Sequence, residues 1–166
     1  MRYLILLFIL VVSHGWATQV PAAKEIMAYT RTHLPTTGVI KREGDLIYLD
    51  VDDNYIYKLQ PIIRGYGFKV PPYFGEHGLV GAHITLISRD EIQTYGIEQI
   101  SEIGKRVKFK PQKCRMETPP HWDAIAKVYF IEVEAPTLTK IRKKYGLPDR
   151  EFKFHITIGL KPKTEV

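Results

Sequence analysis

Two stretches of this chain repeat one pattern: Ala82-His83-Ile84-Thr85-Leu86 and Phe154-His155-Ile156-Thr157-Ile158. Each reads apolar, His, Ile, Thr, apolar. The apolar and β-branched residues favour a strand, and successive side chains of a strand point to opposite faces. The histidine and threonine of each stretch therefore share one face, and their apolar neighbours share the other. A fold that accepts this sequence must bury two isoleucine faces from histidine strands 72 positions apart, leaving two His-Thr pairs turned to a cleft. One His-x-Thr is common on half-exposed strands. Two copies with apolar flanks arise by chance on the order of once in a thousand chains of this composition, by counting pattern matches.

The rest of the chain reads as an α+β domain with mainly antiparallel sheet. Pro21 opens a helix carried by Ala22, Ile26, Tyr29 and Leu34. Leu46–Leu49 and Tyr55–Leu59 flank Asp52-Asp53-Asn54 and predict a β-hairpin. The Asp50–Asn54 cluster fails as a calcium loop, since Tyr55 stands at the sixth position and Pro61 at the twelfth. Residues Gly65 to Gly78, rich in glycine and aromatics, read as a loop. Leu79–Ile87 is a predicted strand, and Ser88 with Glu91 three residues on is a capping-box signature for a following helix. Val107-Lys108-Phe109 alternates as a strand, Ala124–Glu134 is a longer one, and Phe152–Leu160 is the last. Between them Pro136 starts a helix that Gly146 and Pro148 stop.

The 166 residues fit one domain, expected over 18–166. The single cysteine, Cys114, excludes an internal disulfide framework and a cysteine-based zinc site. Lys and Arg number 24 against 18 Asp and Glu, a net charge of +6 that suits a phosphate-bearing partner without specifying one. Residues 1–17 pair Arg2 with an apolar run from Tyr3 to Val12 and then small residues at Gly15 and Ala17. That is the layout of a secretory signal peptide cut after Ala17, and the run is too short to span a bilayer comfortably. The mature chain is accordingly expected to be secreted or periplasmic, a monomer without stable membrane association.

Paired His-x-Thr strands about 70 residues apart resemble the two-histidine (2H) phosphoesterase superfamily, which includes cyclic nucleotide phosphodiesterases, 2′-5′ RNA ligases and an RNA-trimming phosphodiesterase. The resemblance implies two pseudo-symmetric lobes of antiparallel strands and flanking helices, with one tetrad from each lobe facing a groove between them. It also implies a phosphodiesterase acting on a nucleotide or RNA phosphoester, such as a 2′,3′-cyclic phosphate or an RNA end. An idle relative that only binds nucleotide or RNA is the alternative.

The residues suit that chemistry. Breaking a P–O bond needs a proton taken from the nucleophile and one given to the leaving oxygen. Imidazole titrates near neutrality, so His83 and His155 can serve as general base and general acid with one ring neutral and the other charged. Thr85 and Thr157, roughly 7 Å further along each strand, can donate to the non-bridging phosphate oxygens. No metal or cofactor is expected. Lys153, two residues before His155, is a candidate for phosphate charge, and Tyr73 and Phe74 are candidates for stacking on a base. Of the loop aromatics Tyr66, Phe68, Tyr73 and Phe74, at least two are expected to pack into the core. Arg89 is expected on a helix surface. His33 suits a helix C-terminus, His77 lies near the first tetrad, and His121 reads as loop structure. The basic run Lys105–Lys110 suits either an RNA backbone or a lysine-guarded edge strand.

Overall fold

The computed structural model describes residues 20–72, 74, 80–150 and 153–164, so the predicted signal segment, Tyr73, His77 and Leu79 lie outside the described residues. Helix α1 (Ala23–His33) buries Ile26, Met27 and Thr30 and packs on β5 (Lys110–Glu117). His33 ends it, stacked on Tyr29 at 4.4 Å between ring centroids. Strands β1 (Thr37–Glu43) and β2 (Leu46–Asp50) form a hairpin turned at Gly44, which takes a left-handed φ of 53°.

The chain then departs from its predicted hairpin. Tyr55–Leu59 is not a strand: residues Asn54–Tyr57 form α2 and Gln60–Arg64 form α3. The Asp52 carboxylate accepts from the Asn54 N–H at 2.8 Å, and the Asp53 carbonyl accepts from the N–H groups of Ile56 and Tyr57. An acidic side chain that satisfies its own turn starts a helix here, and Tyr55, Ile56, Leu59 and Ile63 all point into the core, fully buried.

Strand β3 (His83–Ile87) runs into α4 (Arg89–Tyr95), where the capping box is complete: Ser88 Oγ accepts from the Glu91 N–H, and Glu91 accepts from the Ser88 N–H at 2.9 Å. Strand β4 (Arg106–Lys108) completes an antiparallel sheet of order β3-β2-β1-β4. It is an edge strand, with Arg106 and Lys108 exposed around buried Val107, so the basic run guards an edge. A second antiparallel sheet has order β5-β6-β7, with β6 at Ile125–Glu134 and β7 at His155–Pro162. Strand β5 carries Pro111, which an edge position and an adjacent bulge accommodate. Helix α5 (Pro136–Lys144) joins β6 to β7, and Gly146 follows it at a φ of 70°.

The molecule is thus α+β, with a four-stranded and a three-stranded sheet flanked by helices. Each unit is written strand, strand, helix, strand: β1-β2-α2/α3-β3 and β5-β6-α5-β7. The helices are exchanged in packing. Helices α2 and α3 lie on β7, and α5 lies on β3, which itself packs on β7. One core joins the units, with Leu49, Ile56, Ile63, Ile84, Leu86, Ile131 and Ile156 all at 0% exposure. Cys114 is buried, and burial pushes its thiol up to about 11, which keeps it protonated near neutral pH.

Gly38 marks the tightest approach in the first hairpin. A Cβ there would collide with the Asp50 carbonyl oxygen and lie 2.8 Å from Leu49 Cγ. Gly38→Val should therefore force β1 off β2 and lower stability by about 2–3 kcal/mol, read as a shifted midpoint in urea unfolding. An unchanged midpoint would show that the hairpin can open without cost.

Candidate active site at the junction of the two sheets

The alternation expected of the tetrads is present. His83 and Thr85 are half-buried and Ile84 and Leu86 buried; His155 and Thr157 are half-buried and Ile156 and Ile158 buried. Both strands sit at the inner ends of their sheet orders and pack against one another, which brings the two His-Thr faces together.

The rings are held alike. His83 Nδ1 bonds the carbonyl of Gly81 at 2.9 Å, and His155 Nδ1 bonds the carbonyl of Lys153 at 2.9 Å. A carbonyl only accepts, so each neutral ring carries its proton on Nδ1 and its lone pair on Nε2. The first anchor is itself fixed: Gly81 has a φ of 73°, and the Asp53 carboxylate accepts from the Ala82 N–H at 2.8 Å.

The likeness extends one strand further. Opposite His83 in the register stands Asp50, and opposite His155 stands Glu132. Opposite the threonines stand Tyr48 and Phe130. Tyr48 meets the His83 ring edge-on at 5.7 Å, and Phe130 lies 4.9 Å from the His155 ring. The third strands supply cations. Lys41 pairs with Asp50 at 2.6 Å, and Arg115 pairs with Glu132 at 3.0 Å. Lys41 faces Tyr48 in register just as Arg115 faces Phe130. Each histidine thus has beside it an aromatic ring and, opposite it in register, an acid that is ion-paired on its far side.

Arg150 was not singled out from the sequence, and it ties the halves together. From the segment before β7 its guanidinium donates to the Thr85 carbonyl and lies over the Phe154 ring at 5.1 Å. Its positive charge also acts on His155.

Both rings titrate below their ordinary value of 6.5. Burial is the main cause at His83, opposed by the Gly81 hydrogen bond and by the Asp50 charge. At His155 burial again leads, opposed by the Lys153 carbonyl and reinforced by the charges of Arg150 and His83. The His83 charge acting on His155 is expected of rings carried on strands packed together. The difference from the sequence-based picture of one neutral and one charged ring near pH 7 is physical: desolvation acts on both.

Among the other candidates, Lys153 holds His155 through its carbonyl while its side chain is exposed in a neighbouring hollow. Phe74 packs at the core margin, edge-on to Tyr57 at 4.6 Å. Phe68 is buried against Tyr129, and Tyr66 is exposed. Tyr129 faces the core, its hydroxyl donating to the Pro21 carbonyl at 2.7 Å. Arg89 is exposed on α4 beside Asp45. His121 lies outside helix and strand at a φ of 63°. Among the described residues no group of three potential metal ligands gathers, and no helix is long and apolar enough to cross a membrane.

A family model described as 2H-SAK: Swiss Army Knife, 2H phosphoesterase domain, matches residues 47–165, well over half the chain. The match takes in both tetrads and begins within β2. No curated protein and no solved structure matches.

Proposed function

Because the chain belongs to the 2H phosphoesterase family, whose domain supports phosphodiesterase-type activity in general, we propose that it cleaves a nucleotide or RNA phosphodiester without a metal, such as a 2′,3′-cyclic phosphate or an RNA end, by proton transfer between His83 and His155. The observation carrying this reading is the matched pair of imidazoles, each fixed through Nδ1 to a backbone carbonyl, on two strands packed together.

One neutral imidazole takes a proton from water at Nε2 as the water oxygen bonds to phosphorus. The other, protonated, gives its Nε2 proton to the leaving oxygen as the P–O bond breaks. Thr85 and Thr157 donate to the non-bridging oxygens, where charge accumulates. Protonating one ring in the free protein is disfavoured by burial, and an anionic phosphate between the rings offsets that cost. Lys153 and Arg150 add positive potential at the His155 end. The decisive assay follows a panel of 2′,3′-cyclic mononucleotides, short RNAs and 2′-5′ dinucleotides in EDTA. Turnover of one of these in EDTA is expected. Loss of activity on chelation would overturn the metal-free mechanism, and no turnover of any would overturn the reaction.

The pH profile follows from the environment of the rings. The productive free protein holds one neutral and one charged imidazole, and both groups titrate below 6.5. The bell of kcat/KM should accordingly centre below pH 6.5 and fall about tenfold per unit on its alkaline side, where neither ring is charged. A maximum above pH 7.5 would show that other groups move the protons. We also propose export, with residues 1–17 removed; N-terminal sequencing of the mature protein should begin at Thr18, and a product beginning at Met1 would refute it.

A further inference from the structure

Beside the N-terminal end of β7 the molecule opens a hollow of about 720 Å3 whose lining includes none of His83, Thr85, His155 and Thr157. Val133 and Phe154 form its apolar base, Lys140 and Lys143 of α5 stand on one rim, and Arg150 and Lys153 on the other. Two contacts join it to the two His-Thr strands. The Lys153 carbonyl holds His155 Nδ1, and Arg150 reaches from the hollow to the Thr85 carbonyl. Lys153 in its lining stands two residues upstream of His155, roughly 7 Å along the strand.

Its charge is lopsided once internal pairs are set aside. Arg142 at the back is committed to Glu91, and Glu132 is balanced from the other side by Arg115 and Lys113. Glu134, which accepts from the neutral Gln112, and Asp149 keep their negative charge, so two carboxylates stand in the lining against the cations Lys140, Lys143, Arg150 and Lys153. Among the described residues no ion pair holds Lys140, Lys143 or Lys153, and all three are exposed around the rim. Cations on the rim over an apolar floor of Val133 and Phe154, with Pro136 and Pro148 beside it, match what a single-stranded polyanion needs: lysines for its phosphates, and apolar surface for a ribose or base.

We propose that this hollow is an extension of the catalytic groove that binds the phosphodiester backbone of an oligonucleotide next to the scissile bond. The inference rests on the phosphodiesterase reading and sharpens it, making the preferred substrate a short single strand rather than a free cyclic mononucleotide.

The test is the charge reversal Lys140→Glu with Lys143→Glu, both on the exposed face of α5, judged folded by an unchanged melting temperature. One arm compares kcat/KM on a hexanucleotide ending in a 2′,3′-cyclic phosphate and on the corresponding cyclic mononucleotide. The other measures anisotropy of a fluorescein-labelled RNA hexamer from 50 to 200 mM salt. KM for the hexamer should rise about tenfold, and the log Kd against log salt slope should flatten by about 1.4, as loss of two phosphate contacts to a single strand requires. The mononucleotide should change less than twofold. Equal changes on both substrates, or an unaltered hexamer Kd and slope, would overturn the proposal. A wild-type protein that cleaves neither substrate removes the phosphodiesterase reading, while the anisotropy arm still decides the hollow. If the reversal does not fold, Lys140→Gln with Lys143→Gln removes the same two contacts and should give the same slope change of about 1.4.

Discussion

Replacing either His83 or His155 with alanine should lower kcat by about 10²–10⁴-fold, the usual worth of one general acid or base, or roughly 3–5 kcal/mol of barrier. The two losses should be of similar size, because the rings are held by equivalent hydrogen bonds. The double variant should be little worse than either single one, since two groups acting on one proton-transfer event do not contribute independently. Both rings are only half-buried, so the melting temperature should move by a few degrees at most. Steady-state kinetics on whichever substrate the panel reveals is the measurement. A single variant that keeps activity within threefold of the parent would exclude its histidine from the chemistry.

The largest stability loss should come from a residue outside both His-Thr strands. The Arg142 side chain is only 4% exposed. It donates to the Leu86 carbonyl at 2.8 Å, to both Glu91 oxygens at 3.0 and 2.6 Å, and to the Pro148 carbonyl at 3.0 Å. Those contacts join α5 to β3, to α4 and to the segment leading to Arg150. Arg142→Ala leaves the Glu91 carboxylate without its cation and two carbonyls without this donor, and breaking a buried pair from one side costs about 3–5 kcal/mol. For a chain of this size that is a fall of roughly 10–15 °C in melting temperature. Arg142→Lys should recover only part of it, since an ammonium cannot meet a carboxylate with two parallel bonds. A fall under 2 °C would show the network to be ornamental.

Glu91 gives the same network a pH signature. Burial works against its ionisation, but the Arg142 hydrogen bonds, the Ser88 N–H and the charges of Arg142 and Arg150 outweigh it and bring Glu91 down to about 2 from 4.5. A depressed carboxylate stabilises the fold above its unfolded value and ceases to do so as pH falls through the folded one. The melting temperature should accordingly drop between pH 4.5 and 2, and Arg142→Ala should flatten that drop.

What could be read beforehand followed how local the causes were. The tetrads, the Ser88 cap, α5 between Pro136 and Gly146, and the long β6 are set by neighbours in the chain, and they stand where expected. Tyr55–Leu59 alternated like a strand, yet the Asp52 and Asp53 turn contacts and a fully buried face made it helical. Strand β1 was hidden by Gly38 and a polar end, and β5 by Pro111; both are held by partners distant in sequence. The charged residues behind the histidines went unread for another reason. Tyr48-Leu49-Asp50 and Phe130-Ile131-Glu132 repeat an aromatic, aliphatic, acidic order 82 positions apart, a second echo beside the first. It was visible, but Asp50 was grouped with the turn that follows it. Arg150 offered no such sign, because its meaning depends on a contact with Thr85 across the junction.

The exchanged helices carry a last implication. Since α2 and α3 rest on β7 while α5 rests on β3, each half is the other's missing wall, and neither has a closed interior when expressed by itself. Fragments cut near residue 109 should stay soluble and ordered only when mixed, and heating the intact chain should extinguish catalysis and structure in a single step rather than one after the other.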